Sequence, residues 1–231
     1  MTAVFLFRRR VDGPVPVELA FTDREVDLHE RTGARTLAET TARVAAVIGS
    51  PVVRMRQVHG AEVAVVTGSD PSVVDDVDGL VTAVPGVALA ARGADCGLVL
   101  LADAHHGVVG AVHAGRQGLV AGVVPAAVER MRALGAHSVQ AVLGPHVCGR
   151  CYEVPEPMRD QVAAVVPAAA GETSWGTASV DLGAGIGSQL DALGVPWEDL
   201  GVCTMEDAGV WSHRRDAEAA GRVAGLVWVA A

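Results

Sequence analysis

Apolar runs of two lengths are mixed along this chain, and together they predict an α/β fold. Runs of four or five residues rich in Val and Leu have the length and composition of strands covered on both faces. Longer segments that keep Val, Ala and Met on one side have the length of helices. No regular βαβ repeat joins them and no GxGxxG follows a strand, which argues against a dinucleotide-binding fold. The 231 residues fit one domain, 1–231, large enough to bury a sizeable core, and no linker, repeat or low-complexity segment divides them.

Taken in order, Val52–Val66 reads as two short strands around the turn Gln57-Val58-His59-Gly60. Val87–Ala91, Leu98–Leu101 and Val108–Val112 are buried strands by the same criterion. Gly118–Leu134 is helical and ends at Gly135, with Pro125 either kinking it or marking the first turn of a second segment. Val139–Leu143 is a strand, Glu156–Val166 a helix, Gly183–Leu193 a helix ended by Gly194, and Leu226–Val229 a last strand. Pro167–Ser174 is the loosest stretch.

Composition excludes several classes of function. A net charge of −9 is wrong for a nucleic-acid surface, which needs a basic patch. The chain has no lysine, so all 18 cationic residues are arginine; a lysine Schiff base and a Walker-type phosphate loop are both ruled out. The apolar stretch Val4–Phe7 precedes Arg8-Arg9-Arg10, the reverse of a secretory leader, and no segment has the roughly 20 apolar residues of a spanning helix. These features lead us to expect a cytoplasmic protein that does not enter a membrane. Its four cysteines then read as thiols or ligands rather than disulfides.

Three phrases carry the chemistry: Gln57-Val58-His59-Gly60, Gly93-Ala94-Asp95-Cys96 and Val112-His113-Ala114-Gly115. Each sets a histidine or cysteine at the edge of an apolar run beside a small residue, where a ligand can approach the backbone. Two imidazoles and a thiolate are a donor set for a catalytic zinc with one open position. They are equally the parts of a cysteine–histidine nucleophile, or two satisfied histidines and a packed thiol. Asp95 either orients a metal-bound histidine or caps a turn. His105-His106 face opposite ways on extended backbone and suit a polar turn between strands.

The order of these phrases resembles the family called polyphenol oxidase, or peptidoglycan-editing factor, whose members act in vitro as purine nucleoside phosphorylases. The resemblance runs from about residue 52 to the end. It takes in QVHG, DGLVT at Asp78–Thr82, ADC with LVLLAD, GAVHAG, GPHVCGRCYEV at Gly144–Val154, Val180-Asp181-Leu182, Gly201-Val202-Cys203-Thr204, and SHRRD followed by GRVAGLVWV. It implies a layered α/β sandwich of mixed β-sheets flanked by helices. It also implies a zinc held by His59, Cys96 and His113 as the catalytic centre, with copper an alternative in vitro. The implied reaction is phosphorolysis of adenosine, inosine, guanosine or methylthioadenosine, with adenosine deamination as a further activity.

Arg116, Asp95 and Gln57 are the candidate substrate-binding residues, and Arg92, Arg150, Arg214, Arg215 and Arg222 are further cations in or near these phrases. The chain reads His113-Ala114-Gly115-Arg116-Gln117-Gly118 where many relatives read HAGWRG, so Arg116 is the candidate to replace the missing arginine toward phosphate. Thr40-Thr41 stands where an Asn-Arg pair is common, Thr22–Val26 replaces a glycine-rich phrase, and Gly97-Leu98 follows ADC in place of a proline. Two alternatives accompany the phosphorylase: a Cys/His or zinc hydrolase editing peptidoglycan precursors, and a non-catalytic partner of cell-division or wall-synthesis proteins. The pair Cys148 and Cys151 lacks a second pair in sequence, and a packed supporting loop is expected there.

Overall fold

The computed structural model of the chain describes residues 4–68 and 73–230. Its strands and helices follow in the order β1 (Phe5–Val11), β2 (Val17–Thr22), α1 (Ala34–Ile48), β3 (Val52–Met55), β4 (Val63–Val65), β5 (Val73–Val74), β6 (Gly79–Thr82), β7 (Ala88–Gly93), β8 (Gly97–Asp103) and β9 (Val108–Ala114). Then come α2 (Arg116–Ala121), α3 (Val123–Ala133), β10 (Gln140–Leu143), α4 (Glu156–Ala163), β11 (Ala170–Glu172), β12 (Ala178–Val180), α5 (Leu182–Ala192), β13 (Trp197–Asp199), α6 (His213–Asp216) and β14 (Val223–Val229). Two six-stranded mixed sheets dominate, in the orders β1-β2-β14-β7-β3-β5 and β13-β10-β8-β9-β6-β4, with a small β11-β12 pair beside them. This is the layered sandwich that the family resemblance implies.

Alternation along the strands explains the layering. In β7, Ala88 and Ala90 face α1 with Leu37, Val44 and Ile48, while Leu89 and Ala91 face the second sheet. In β8, Leu98, Leu100 and Ala102 face the first sheet, whereas Val99 and Leu101 lie under α3 and α5. Both sheets are thus covered on both faces, which is why their central strands read as unbroken apolar runs. The core is consequently built from Val, Leu and Ala.

Most of the expected elements are present with shifted ends. The segment Gly118–Leu134 is two helices, α2 and α3, broken at Gly122, whose φ of 83° is left-handed. Pro125 lies in the first turn of α3, where its missing N–H costs no helical bond. His105 and His106 do form the turn between β8 and β9, and the buried Asp103 accepts both of their backbone N–H groups. Pro167–Ser174, expected to be loose, contains a 3₁₀ turn and β11 paired to β12.

The two strands around the QVHG turn belong to different sheets, β3 to the first and β4 to the second. The turn therefore crosses from one layer to the other. The β7–β8 connection makes the same crossing through Ala94-Asp95-Cys96, and β9 ends beside it, because Gly97 pairs with Ala114. All three donor-bearing phrases accordingly meet at one end of the sandwich.

Candidate metal centre and its cavity

His59, Cys96 and His113 each offer one donor atom, and the three donors lie within 4.8 Å of one another. The His59 and His113 rings meet edge to face with centroids 4.8 Å apart, and Cys96 Sγ lies 3.9 Å from His59 Nε2. His113 is buried, Cys96 half-buried and His59 exposed, so the cluster opens to solvent on one side. Gly115 faces it so closely that a Cβ there would stand 2.9 Å from Cys96 Sγ and 3.0 Å from the His59 ring. That position accepts only glycine while the donors keep this arrangement.

Asp78 organises the cluster. Its buried carboxylate accepts the backbone N–H groups of Val58, His59 and Gly60 and lies 2.8 Å from His113 Nδ1. These bonds hold His59 in the left-handed region at φ 62°, a conformation that costs a non-glycine residue about 1 kcal/mol or more. With Nδ1 engaged by Asp78, His113 presents Nε2 to the cluster. Burial alone would raise the Asp78 carboxyl, but His113 and the N–H groups of Gly60 and Val58 hold it below its usual range.

Cys96 and His113 each favour the charged form of the other in the metal-free protein. Burial would push the Cys96 thiol up; the His113 charge opposite it, with hydrogen bonds from both imidazoles, brings it down to about 6. Burial would likewise push His113 down, but the Cys96 thiolate and Asp78 raise it to about 9. These directions favour the Cys96 thiolate, and a thiolate with neutral imidazoles is the form that ligates zinc, so His113 gives up its cluster-facing proton when a metal binds. Converging donors, an oriented imidazole and a stabilised thiolate all fit a zinc ion.

The cluster forms one wall of a cavity of about 330 Å³ whose other walls include His29, Glu30, Gln57, Arg92, His213 and Arg222. Arg92 is mostly committed to structure: it donates to the Leu28 and Met55 carbonyls and pairs with Glu30 at 2.7 Å, while its buried Nε has no protein partner. Arg222 donates to the carbonyls of Ala220 and Gly221, and burial lowers its pKa. His29 Nδ1 accepts the Arg31 N–H, which leaves Nε2 as the donor of the neutral ring.

The expected substrate residues fare unevenly. Gln57 lines the cavity, but its amide makes both a donor and an acceptor bond with the backbone of Arg92, in place of a strand neighbour. Asp95 is not in the wall. Its carboxylate accepts the Thr204 hydroxyl at 2.6 Å and the Arg214 N–H at 2.7 Å, so it ties the 200–216 loop down and orients no histidine. Arg116 is carried away from the cavity: it opens α2 just past Gly115 and lines a separate hollow with Gln117, Val120 and Gln161. It is not among the residues that line the cavity beside the cluster.

The other arginines serve the scaffold. Arg214 stacks on Tyr152 at 4.8 Å, Arg215 donates to the carbonyls of Thr204, Asp207 and Val210, and Arg150 pairs with Glu206 at the surface. Sequence reasoning missed Asp78, His29 and His213 as wall or support residues. Only the DGLVT phrase carried a sign of Asp78.

The class of protein is thus a two-sheet α/β sandwich whose His-Cys-His cluster could hold a metal ion beside an arginine-lined cavity. The chain belongs to the family described as multi-copper polyphenol oxidoreductase laccase, whose profile matches residues 8–230. A Streptomyces griseus protein named purine nucleoside phosphorylase is 54% identical over 196 residues, 83% of this chain and 79% of its own length. A Mycobacterium tuberculosis protein of the same name is 50% identical over 199 residues, 84% of this chain and 79% of that one. Among solved structures, YlmD from Geobacillus stearothermophilus superposes with a TM-score of 0.86 at 28% identity, covering 99% of this chain and all of that one. Neisseria meningitidis NMB0706 gives 0.80 at 27% identity, covering 97% and 99%.

Proposed function

We propose that this chain is a zinc-dependent purine nucleoside phosphorylase, a single catalytic domain whose metal is held by His59, Cys96 and His113. The observation that carries the proposal is the convergence of these donors on a cavity that also holds Arg222 and Arg92. The names of the relatives at 50–54% identity supply the substrate class. When bound, zinc supplies Lewis acidity and a fixed positive charge beside the substrate.

The protein's own groups then divide the work. Asp78 keeps His113 oriented, and the cavity walls position the nucleoside. Arg222 holds the phosphate, whose oxygen attacks the ribose anomeric carbon as the bond to the base breaks. His29 and His213 face the cavity and are the groups placed to give a hydrogen bond or proton to the departing purine.

Incubation of the zinc-loaded protein with adenosine and phosphate is expected to yield adenine and ribose 1-phosphate. Arg222→Met should raise the KM for phosphate roughly tenfold or more, the loss of a charge-assisted bidentate contact, with zinc content unchanged. Arg116→Ala should leave that KM within about twofold, since surface changes away from a site are near neutral. Inosine as product would instead assign deamination. The Cys96 thiolate beside His113 favours one second reading, a Cys–His hydrolase, and turnover of an amide substrate without phosphorolysis would select it.

A further inference from the structure

The pair Cys148 and Cys151 does not stand alone, as the sequence led us to expect. The fold brings Cys203 and Glu206 to it, and one donor atom from each of the four residues lies within 4.8 Å of every other. All three sulfurs are free thiols. We propose that Cys148, Cys151, Cys203 and Glu206 bind a second zinc ion, a closed structural site distinct from the His59–Cys96–His113 cluster.

The local backbone is built for such a site. The N–H groups of Cys151 and Tyr152 both bond to the Cys148 carbonyl, a tight turn that sets the two sulfurs of the CxxC on one side. Cys203 and Glu206 come from a second turn of the same kind, in which the Glu206 and Asp207 N–H groups bond to the Cys203 carbonyl. The backbone N–H of Cys148 points at Cys203 Sγ at 3.5 Å, the contact that a thiolate ligand accepts. Cys151 Sγ lies 3.5 Å from a Glu206 carboxylate oxygen.

Donor chemistry selects the ion. Three thiolates favour zinc over magnesium or calcium, and a carboxylate can complete a tetrahedron. Sulfurs at about 2.3 Å from a tetrahedral zinc are about 3.8 Å apart, so the four donors need close in by no more than about 1 Å. Cys151 and Cys203 are buried and Cys148 half-buried, with Glu206 covering the solvent side. No donor position is left for substrate, which marks the site as structural.

The consequence is mechanical. Cys148 and Cys151 lie on the loop whose Val147 N–H bonds to the Asp95 carbonyl; Cys203 lies next to Thr204, whose hydroxyl bonds to the Asp95 carboxylate. A zinc across both loops staples the two chain segments that flank Asp95, and through Arg214 it steadies the short helix that carries His213 into the cavity. Binding releases thiol protons, so zinc uptake at this site should weaken as pH falls.

Elemental analysis tests this independently of the activity assigned above. In a Cys96→Ala/His113→Ala chain, which lacks the first cluster, one zinc per chain should remain after dialysis, and adding Cys148→Ser with Cys151→Ser should remove it. Cobalt in place of zinc should give thiolate-to-metal absorption in that Cys96→Ala/His113→Ala chain. Glu206→Gln alters an exposed side chain and spares the buried thiols; in the same background it should weaken zinc retention against a competing chelator about tenfold. No zinc in the Cys96→Ala/His113→Ala chain, no cobalt–thiolate band, or a Cys148–Cys151 disulfide in the unreduced protein by mass spectrometry would overturn the proposal.

Discussion

Asp78 is the residue on which the His-Cys-His cluster depends most. It is buried, it accepts three successive backbone N–H groups of the QVHG turn, and it fixes the tautomer of His113. Asp78→Asn replaces one acceptor oxygen with a donor and removes the negative charge from beside the imidazole. Its loss should lower zinc affinity about 10- to 100-fold, the usual cost of removing a carboxylate that supports a ligating histidine. In the metal-free protein, Cys96 alkylation should follow thiolate formation with a midpoint near 6, and Asp78→Asn should move that midpoint upward because His113 becomes less basic. An unmoved midpoint would mean that Asp78 does not act on Cys96 through His113. The three donors stood out in the sequence as residues at the edges of apolar runs, and the family resemblance singled them out as one set. Asp78 was not, because its reach to His113 depends on the register in which Gly79 pairs with Val112. His29 and His213 were hidden for the same reason, and Arg222 was one cation among several: which of them line the cavity with Cys96 is set by tertiary structure.

Among the elements, the β8–β9 turn shows how a single buried carboxylate holds strands in register. Asp103 is buried at the end of β8 and accepts the N–H groups of His105, His106, His137 and Ser138, besides pairing with the His106 ring at 2.9 Å. It thereby ties the hairpin to the segment that leads into β10. Asp103→Ala leaves these donors without their acceptor, and the expected loss is about 3–5 kcal/mol by denaturant midpoint at pH 7. Burial alone would raise its pKa, but the Ser138 N–H, the His106 ring and the His137 and His105 N–H groups hold it far below the usual value. A depressed folded pKa gives stability that is fully present above the unfolded value near 3.9 and lost as pH falls through the folded one. The gap between wild type and Asp103→Ala should therefore be widest near neutrality and narrow below about pH 4. Such central strands were readable because both faces are buried and the residues are Val, Leu and Ala. β1 was not, since its alternating Phe5, Phe7 and Arg9 reflect an edge strand whose arginines stack on Phe5, Phe7 and Trp228. α1 escaped notice because only Leu37, Val44 and Ile48 are buried along its 15 residues.

Across the whole molecule, the His-Cys-His cluster joins chain segments from both sheets: the β3–β4 turn, the β7–β8 crossing and the end of β9. A metal held there restrains the two layers relative to each other at the end where the cavity opens, as well as serving chemistry. Zinc that binds the folded chain and not the unfolded one stabilises it by mass action, about 2.7 kcal/mol at a free concentration 100 times Kd. For a chain of this size each kcal/mol corresponds to roughly 2–4 °C in Tm, so filling this cluster should raise Tm by about 5–10 °C. The comparison that isolates it is wild type against Cys96→Ala, each titrated with zinc under the same conditions. Wild type should gain more than Cys96→Ala by about that amount, because the variant keeps only the contribution of the Cys148–Cys151–Cys203–Glu206 cluster. Equal gains in the two proteins would place all of the stabilising metal at the second cluster and remove the first from the mechanical account of the fold. The interior between the sheets is a continuous apolar layer, so the shift should appear as one cooperative transition displaced upward.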